Sequence, residues 1–170
     1  MREPTSPTAI KFQEQLHSLG LNGPVVEFDT TTRTAADAAG AIGCKVGQIV
    51  KSLIFKTKNG GQPVLVFTSG SNRVDERRIE ELVGEPLGKA DADFVRSVTG
   101  FAIGGVPPFG FPHPKHTYLD EDLLKYEKVW AAAGTPNAVF PIAPRDLLHW
   151  TGAKALEIKA LILRNREAED

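Results

Sequence analysis

The chain has one cysteine, Cys44, which excludes an intramolecular disulfide and a multi-cysteine zinc site. No apolar run approaches the length needed to span a bilayer, and the opening MREPTSPTAI lacks the apolar stretch of a signal peptide. A cytoplasmic protein with no membrane partner is therefore expected. An excess of one charge is missing too: 20 Lys and Arg stand against 21 Asp and Glu, for a net charge of −1 and a pI near 6.4. That balance excludes holding nucleic acid by bulk charge, though it leaves room for a local basic patch. No repeat, low-complexity tract or linker divides the 170 residues. One domain is implied, and a hydrophobic content of 41% is enough to build its core.

Residues 1–5 read as a flexible tail, with the domain proper at 6–163 and a second tail at 164–170. Ser6-Pro7 is a helix start, a capping serine followed by a proline at the first helical position, and Gly20 is the stop. Residues 24–29 (PVVEFD) suit a short strand. Thr34 and Asp37 cap an alanine-rich helix that ends near Gly43. Residues 48–56 and 63–69 form a hairpin around Asn59-Gly60-Gly61. Charged amphipathic helices are expected at 75–83 and 91–98, and brief strands at 101–103, 116–119, 128–132 and 138–142. A final helix covers 144–150, with Pro144 in its first turn. This irregular alternation predicts an α+β domain, a central curved sheet of mixed, mostly antiparallel pairing flanked by helices.

Two features stand out chemically. Alternation along the first hairpin strand puts Ile49, Lys51, Leu53 and Phe55 on one face and Val50, Ser52 and Ile54 on the other. Both faces read as apolar, so the strand is expected to be central, with Lys51 aimed into an apolar surface. Such a lysine either meets an anion or snorkels to water from the strand end. The second feature is Gly104-Gly105-Val106-Pro107-Pro108-Phe109-Gly110. Its glycines expose backbone N–H groups and its prolines stiffen them, which suits an ester carbonyl gaining negative charge; a rigid structural turn would look the same. His17, His113, His116 and His149 show no metal-ligand spacing, and no histidine lies near Cys44 to activate it. No metal or cofactor is expected. Ser69-Gly70-Ser71 lacks the flanking glycines of a nucleophile elbow.

QIVKSLIF at 48–55 resembles the lysine-bearing strand of the YbaK/prolyl-tRNA-synthetase-insertion family, and TGFAIGGVPPFG at 99–110 resembles its glycine loop, with Gly104 and Pro108 four residues apart. The likeness covers about residues 8–160 and is closest to the free-standing members. It implies an α+β editing domain that deacylates mischarged tRNA, chiefly tRNA(Pro), by gripping its 3′ acceptor end. By the same resemblance Lys51 would bind the phosphate of the terminal adenosine, while Gly104, Gly105, Val106, Pro107 and Pro108 would hold the aminoacyl carbonyl. Phe28, Thr34, Ser52 and Ser69 would line the pocket. No side chain would act as nucleophile; water or the substrate's ribose hydroxyl would attack. A prolyl-tRNA synthetase complex is the implied protein partner, and the chain itself is expected as a monomer or weak homodimer.

The chain departs from the family at one segment. Cysteine-clearing members carry Ser-Gly-Gly…Gly-Leu-Asp late in the chain, and here Ala132 and Val139 stand at the serine and aspartate. Cysteine is thereby one target among alanine, 2-aminobutyrate, serine and threonine. Two other classes fit the residues: a module that holds an aminoacyl or nucleotide end without cleaving it, and a small esterase, which the missing triad disfavours.

Overall fold

The structure, a computed structural model, describes residues 1–29, 32 and 34–161. In chain order the elements are α1 (Pro7–Ser18), β1 (Val26–Glu27), α2 (Ala35–Ile42), β2 (Val50–Thr57), β3 (Pro63–Ser69), α3 (Glu76–Val83), β4 (Leu87–Gly88), α4 (Ala92–Thr99), β5 (His116–Asp120), β6 (Val129–Ala132), β7 (Ala138–Ile142), α5 (Pro144–Thr151) and β8 (Lys154–Leu156). The two caps read from the sequence act where expected: Ser6 Oγ accepts from Ala9 N, and Thr34 and Asp37 form a reciprocal capping box. Asp75 and Asp91, expected inside helices, stand just before α3 and α4 and cap them. No helix among the described residues is long and apolar enough to cross a membrane.

The pairing is mixed and mostly antiparallel, as expected of this α+β domain, but the strands divide between two sheets. The smaller has the order β1-β7-β6 and is wholly antiparallel. The larger has the order β4-β2-β3-β5-β8, with β3–β5 and β5–β8 parallel. One parallel bridge, Ile49 to Trp130, ties the two together. The central position expected of β2 holds only at its far end, where β4 pairs with Lys56 and Thr57. Its 50–53 stretch instead turns an edge toward the smaller sheet, and that edge lines a cavity.

Residues 101–103 form turns and bends rather than a strand, because Gly100 (φ 81°) ends α4 in the left-handed region and Gly104 (φ 88°) turns the chain again four residues later. Beyond Gly105 the loop is anchored in the core. Phe109 stacks with Phe12 of α1 and meets Phe140 of β7, with ring centroids 5.5 and 5.9 Å apart, and Phe12 and Phe140 lie 5.1 Å apart. His113 Nε2 lies 2.7 Å from the Pro108 carbonyl oxygen, so this histidine braces the loop.

Residues 1–5, expected as a flexible tail, are docked. Arg2 exchanges two backbone hydrogen bonds with Glu27. The expected limit at 163 and the tail at 164–170 lie outside the described residues. Glu27 is 1% exposed, and its carboxylate accepts from Thr5 N (2.7 Å), Thr5 Oγ1 (2.9 Å), Arg2 Nη1 (2.7 Å) and Ser6 N (3.2 Å). Burial pushes its pKa up, but the Thr5 and Ser6 donors win and hold it at about 2, below the ordinary 4.5. A depressed carboxylate contributes stability that is complete above the unfolded value and is lost as pH falls through the folded one. Acidification from about pH 4.5 to about 2 should therefore remove roughly 3 kcal/mol through this group. Urea midpoints measured across that window should converge for wild type and Glu27→Gln as pH falls. A constant gap would show that Glu27 is not the titrating group.

Candidate active site

A cavity of about 310 Å³ opens where the two sheets meet. One wall is the β2 edge, residues 50–53, where Val50, Lys51, Ser52 and Leu53 all contribute. Both parities of the strand take part because the cavity runs along the edge and not over a face. Opposite stand Trp130, Ala131 and Ala132 of β6, with Val139 of β7. The first turns of α2 close one end with Thr34, Ala35 and Ala38, and Ile103, Gly104 and Val106 close the other. Among the described residues this lining contains no Cys, His, Asp or Glu.

Lys51 is half-buried, and its Nζ donates to the Asn72 carbonyl at 3.2 Å. Burial lowers its pKa, the Arg73 charge lowers it further, and Asp120 opposes both. An ammonium in that setting gains from an anion. The sequence left open whether Lys51 meets an anion or snorkels; the structure puts it on the cavity wall beside a second cation.

The glycine loop divides into working and supporting parts. Gly104 and Val106 line the cavity, and neither N–H has a backbone acceptor among the described residues. The Gly105 N–H is already committed to Ala102 O at 3.0 Å, so Gly105 is not the free donor expected of it. A Cβ there would lie 2.8 Å from Thr135 Cα and 3.0 Å from Gly134 O, so this glycine permits the loop to lie against backbone behind it. Pro107 and Pro108 are buried and off the cavity wall, where they support the loop from beneath.

Thr34, Ser52, Ala132 and Val139 line the cavity. Phe28 and Ser69 do not. Phe28 is 4% exposed and bonds through its backbone to Asn137. Ser69 points inward because the strand ends there in a tight turn; its Oγ donates to Gly47 O at 2.7 Å. Ser52 Oγ is buried without a hydrogen-bond partner among the described residues. Sequence reasoning missed Trp130 and Ile103. Trp130 looks like a core residue in sequence, and Lys128 Nζ sits 5.4 Å from its ring centroid. Cys44 packs with Ala38, Ile49 and Trp130 in an apolar cluster, and burial pushes its thiol pKa up, the opposite of an activated nucleophile. His116 Nδ1 lies 3.3 Å from Tyr118 Oη.

An α+β domain whose inter-sheet cleft combines a lysine, backbone N–H groups without a backbone acceptor among the described residues and an apolar wall suits the handling of an acylated, phosphate-bearing ligand. Residues 29–149 match the aminoacyl-tRNA editing domain, and the chain belongs to that family. A solved structure described provisionally as a trans-editing enzyme for prolyl tRNA synthetase is similar, with 48% identity, a TM-score of 0.84 and coverage of 93% of this chain and 100% of that one. The hypothetical protein APE2540 is 34% identical with a TM-score of 0.77, covering 88% of this chain and 99% of that one. The uncharacterized protein YwhH of Bacillus subtilis (strain 168) is 32% identical over 130 residues, 76% of this chain and 82% of that protein.

Proposed function

We propose that this chain deacylates mischarged tRNA in trans, removing a small wrong amino acid from tRNA(Pro). The observation that carries this reading is the cleft itself: one part of it holds a cation, another holds Gly104 and Val106, whose N–H groups have no backbone acceptor among the described residues, and the wall between is apolar. The similarity to a protein described as a trans-editing enzyme for prolyl tRNA synthetase supports tRNA(Pro) and that synthetase as the cellular context. Lys51 binds the phosphate of the terminal adenosine as a charge-assisted partner. The ester carbonyl lies against Gly104 and Val106. Water adds to the carbonyl carbon and the resulting oxyanion takes up the loop N–H groups. The bond to the ribose oxygen then breaks, and the proton released by the water reaches that leaving oxygen through the neighbouring ribose hydroxyl. With no basic or nucleophilic carboxylate, imidazole or thiol on the described wall, the substrate brings its own proton carrier.

Selectivity comes from the wall. Ala132 and Val139 have no group to pair with a polar side chain, the Ser69 hydroxyl is committed to Gly47, Thr34 Oγ1 accepts from Asp37 N, and Ser52 Oγ is buried within the protein. Burying an unpaired hydroxyl costs on the order of 1 kcal/mol, so alanyl- and 2-aminobutyryl-tRNA(Pro) should turn over about fivefold faster than seryl-tRNA(Pro). Rates on tRNA(Pro) charged with alanine, 2-aminobutyrate, serine, threonine, cysteine and proline test this. Rapid loss of the cognate proline sinks editing; a stoichiometric complex without turnover sinks hydrolysis; a serine preference sinks only the apolar wall.

A further inference from the structure

Asp120, the last residue of β5, is 1% exposed and forms no ion pair with a Lys, Arg or His side chain among the described residues. Its carboxylate is nevertheless fully engaged. Oδ2 accepts from Asn72 Nδ2 (2.8 Å), Ser69 N (3.1 Å) and Thr68 Oγ1 (3.4 Å), and Oδ1 accepts from Asp122 N (3.0 Å). Three of these donors belong to residues 68–72, where the chain leaves β3. That turn is tight: Gly70 N donates to Ile49 O at 2.7 Å and Asn72 N to Ser69 O at 3.0 Å. A Cβ at position 70 would meet Val46 O at 2.5 Å. The Asn72 amide also donates to Asp122 Oδ2 at 2.8 Å, and Lys159 Nζ holds that same oxygen at 2.9 Å. Asn72 is thus clamped by two carboxylates through its side chain, while its backbone carbonyl receives Lys51 Nζ.

We propose that Asp120, acting through Asn72, is a positioning residue that holds the Lys51 ammonium on the cavity wall ready for an anion. Asp120 and Asn72 are 48 positions apart in sequence, and the chain from carboxylate to amide to carbonyl to ammonium has no break. Asp120 is also the carboxylate whose charge opposes the effect of burial and of Arg73 on Lys51. In Asp120→Asn the replacement places an N–H₂ group against a ring of donors, so the 68–72 turn must shift and the Asn72 carbonyl moves with it. The inference rests on the reading of Lys51 as the phosphate-binding group.

The test is a double-mutant cycle on binding, not turnover. The probe is an RNA minihelix ending in CCA with alanine joined to the 3′ ribose by an amide, which cannot be hydrolysed as an ester. Asp120→Asn should weaken binding roughly tenfold in the wild-type background and less than about twofold in Lys51→Ala, since an effect routed through Lys51 vanishes with it. Equal losses in both backgrounds would overturn the proposal, because a general structural defect adds. Asn72→Ala cuts the tether without removing the buried carboxylate, and the same non-additivity is expected, so it decides the matter if Asp120→Asn melts non-cooperatively. A wild type that binds the minihelix but leaves alanyl-tRNA(Pro) intact would remove the deacylase reading and leave the positioning role standing. No binding by the wild type overturns both.

Discussion

Lys51→Ala should lower kcat/KM for deacylation of alanyl-tRNA(Pro) by roughly 10²-fold, a loss of about 3 kcal/mol of transition-state stabilisation, while the protein stays folded. The magnitude reflects removal of a charge-assisted contact to a phosphate in a partly desolvated site. The retained fold reflects the sign of the pKa shift. Burial and Arg73 lower the lysine's pKa, so the folded state disfavours its proton relative to the unfolded chain. Deleting the ammonium removes that unfavourable charge, and the melting temperature should hold or rise. The same shift makes the ammonium deprotonate at lower pH than an ordinary lysine. Turnover, corrected for spontaneous ester hydrolysis, should then decline earlier on the alkaline side. Near-wild-type kcat/KM in Lys51→Ala would remove phosphate binding from the mechanism.

Gly105→Ala should be comparably severe by a different route. The added Cβ would lie 2.8 Å from Thr135 Cα, 2.9 Å from Thr135 C and 3.0 Å from Gly134 O, all backbone atoms with no rotamer to yield. Overpacking of that kind costs about 1–3 kcal/mol. Relief requires the loop to move off residues 134–135, which displaces the Gly104 and Val106 donors, and losing aligned oxyanion donors costs roughly 10²-fold in rate. Melting temperature and rate should therefore fall together. At Gly104 the order reverses: the nearest atom to a new Cβ is Pro136 Cγ at 3.8 Å, so the penalty comes from φ near +88° and not from a clash. An unchanged melting temperature and rate in Gly105→Ala would show that the loop does not need its contact with residues 134–135.

Much of the frame was legible because its causes are local. Ser6 before Pro7 and Thr34 with Asp37 each satisfy backbone donors within three residues, so these caps read directly. The β2–β3 hairpin needed only two apolar runs and the glycines between them. The site was legible in part: Lys51, Thr34, Gly104, Val106, Ala132 and Val139 do meet in one cleft, drawn from separate stretches of the chain.

What the sequence determined alone, then, is the set of elements whose stabilising partners lie a few residues away, together with the identity of two unusual features, a lysine in an apolar strand and a stiffened glycine loop. Tertiary structure decided where these face. The strands were split into two sheets by the parallel joining of β5 and β8, whose pairings span tens of residues. The split left the β2 edge open beside Lys51 and thereby created the cleft. It turned Ser69 inward, set Gly105 against residues 134–135, and brought Asp120 beneath Asn72. Nothing within a short window marks such contacts, because a buried carboxylate and an amide 48 residues away look like ordinary surface residues until packing excludes water from between them.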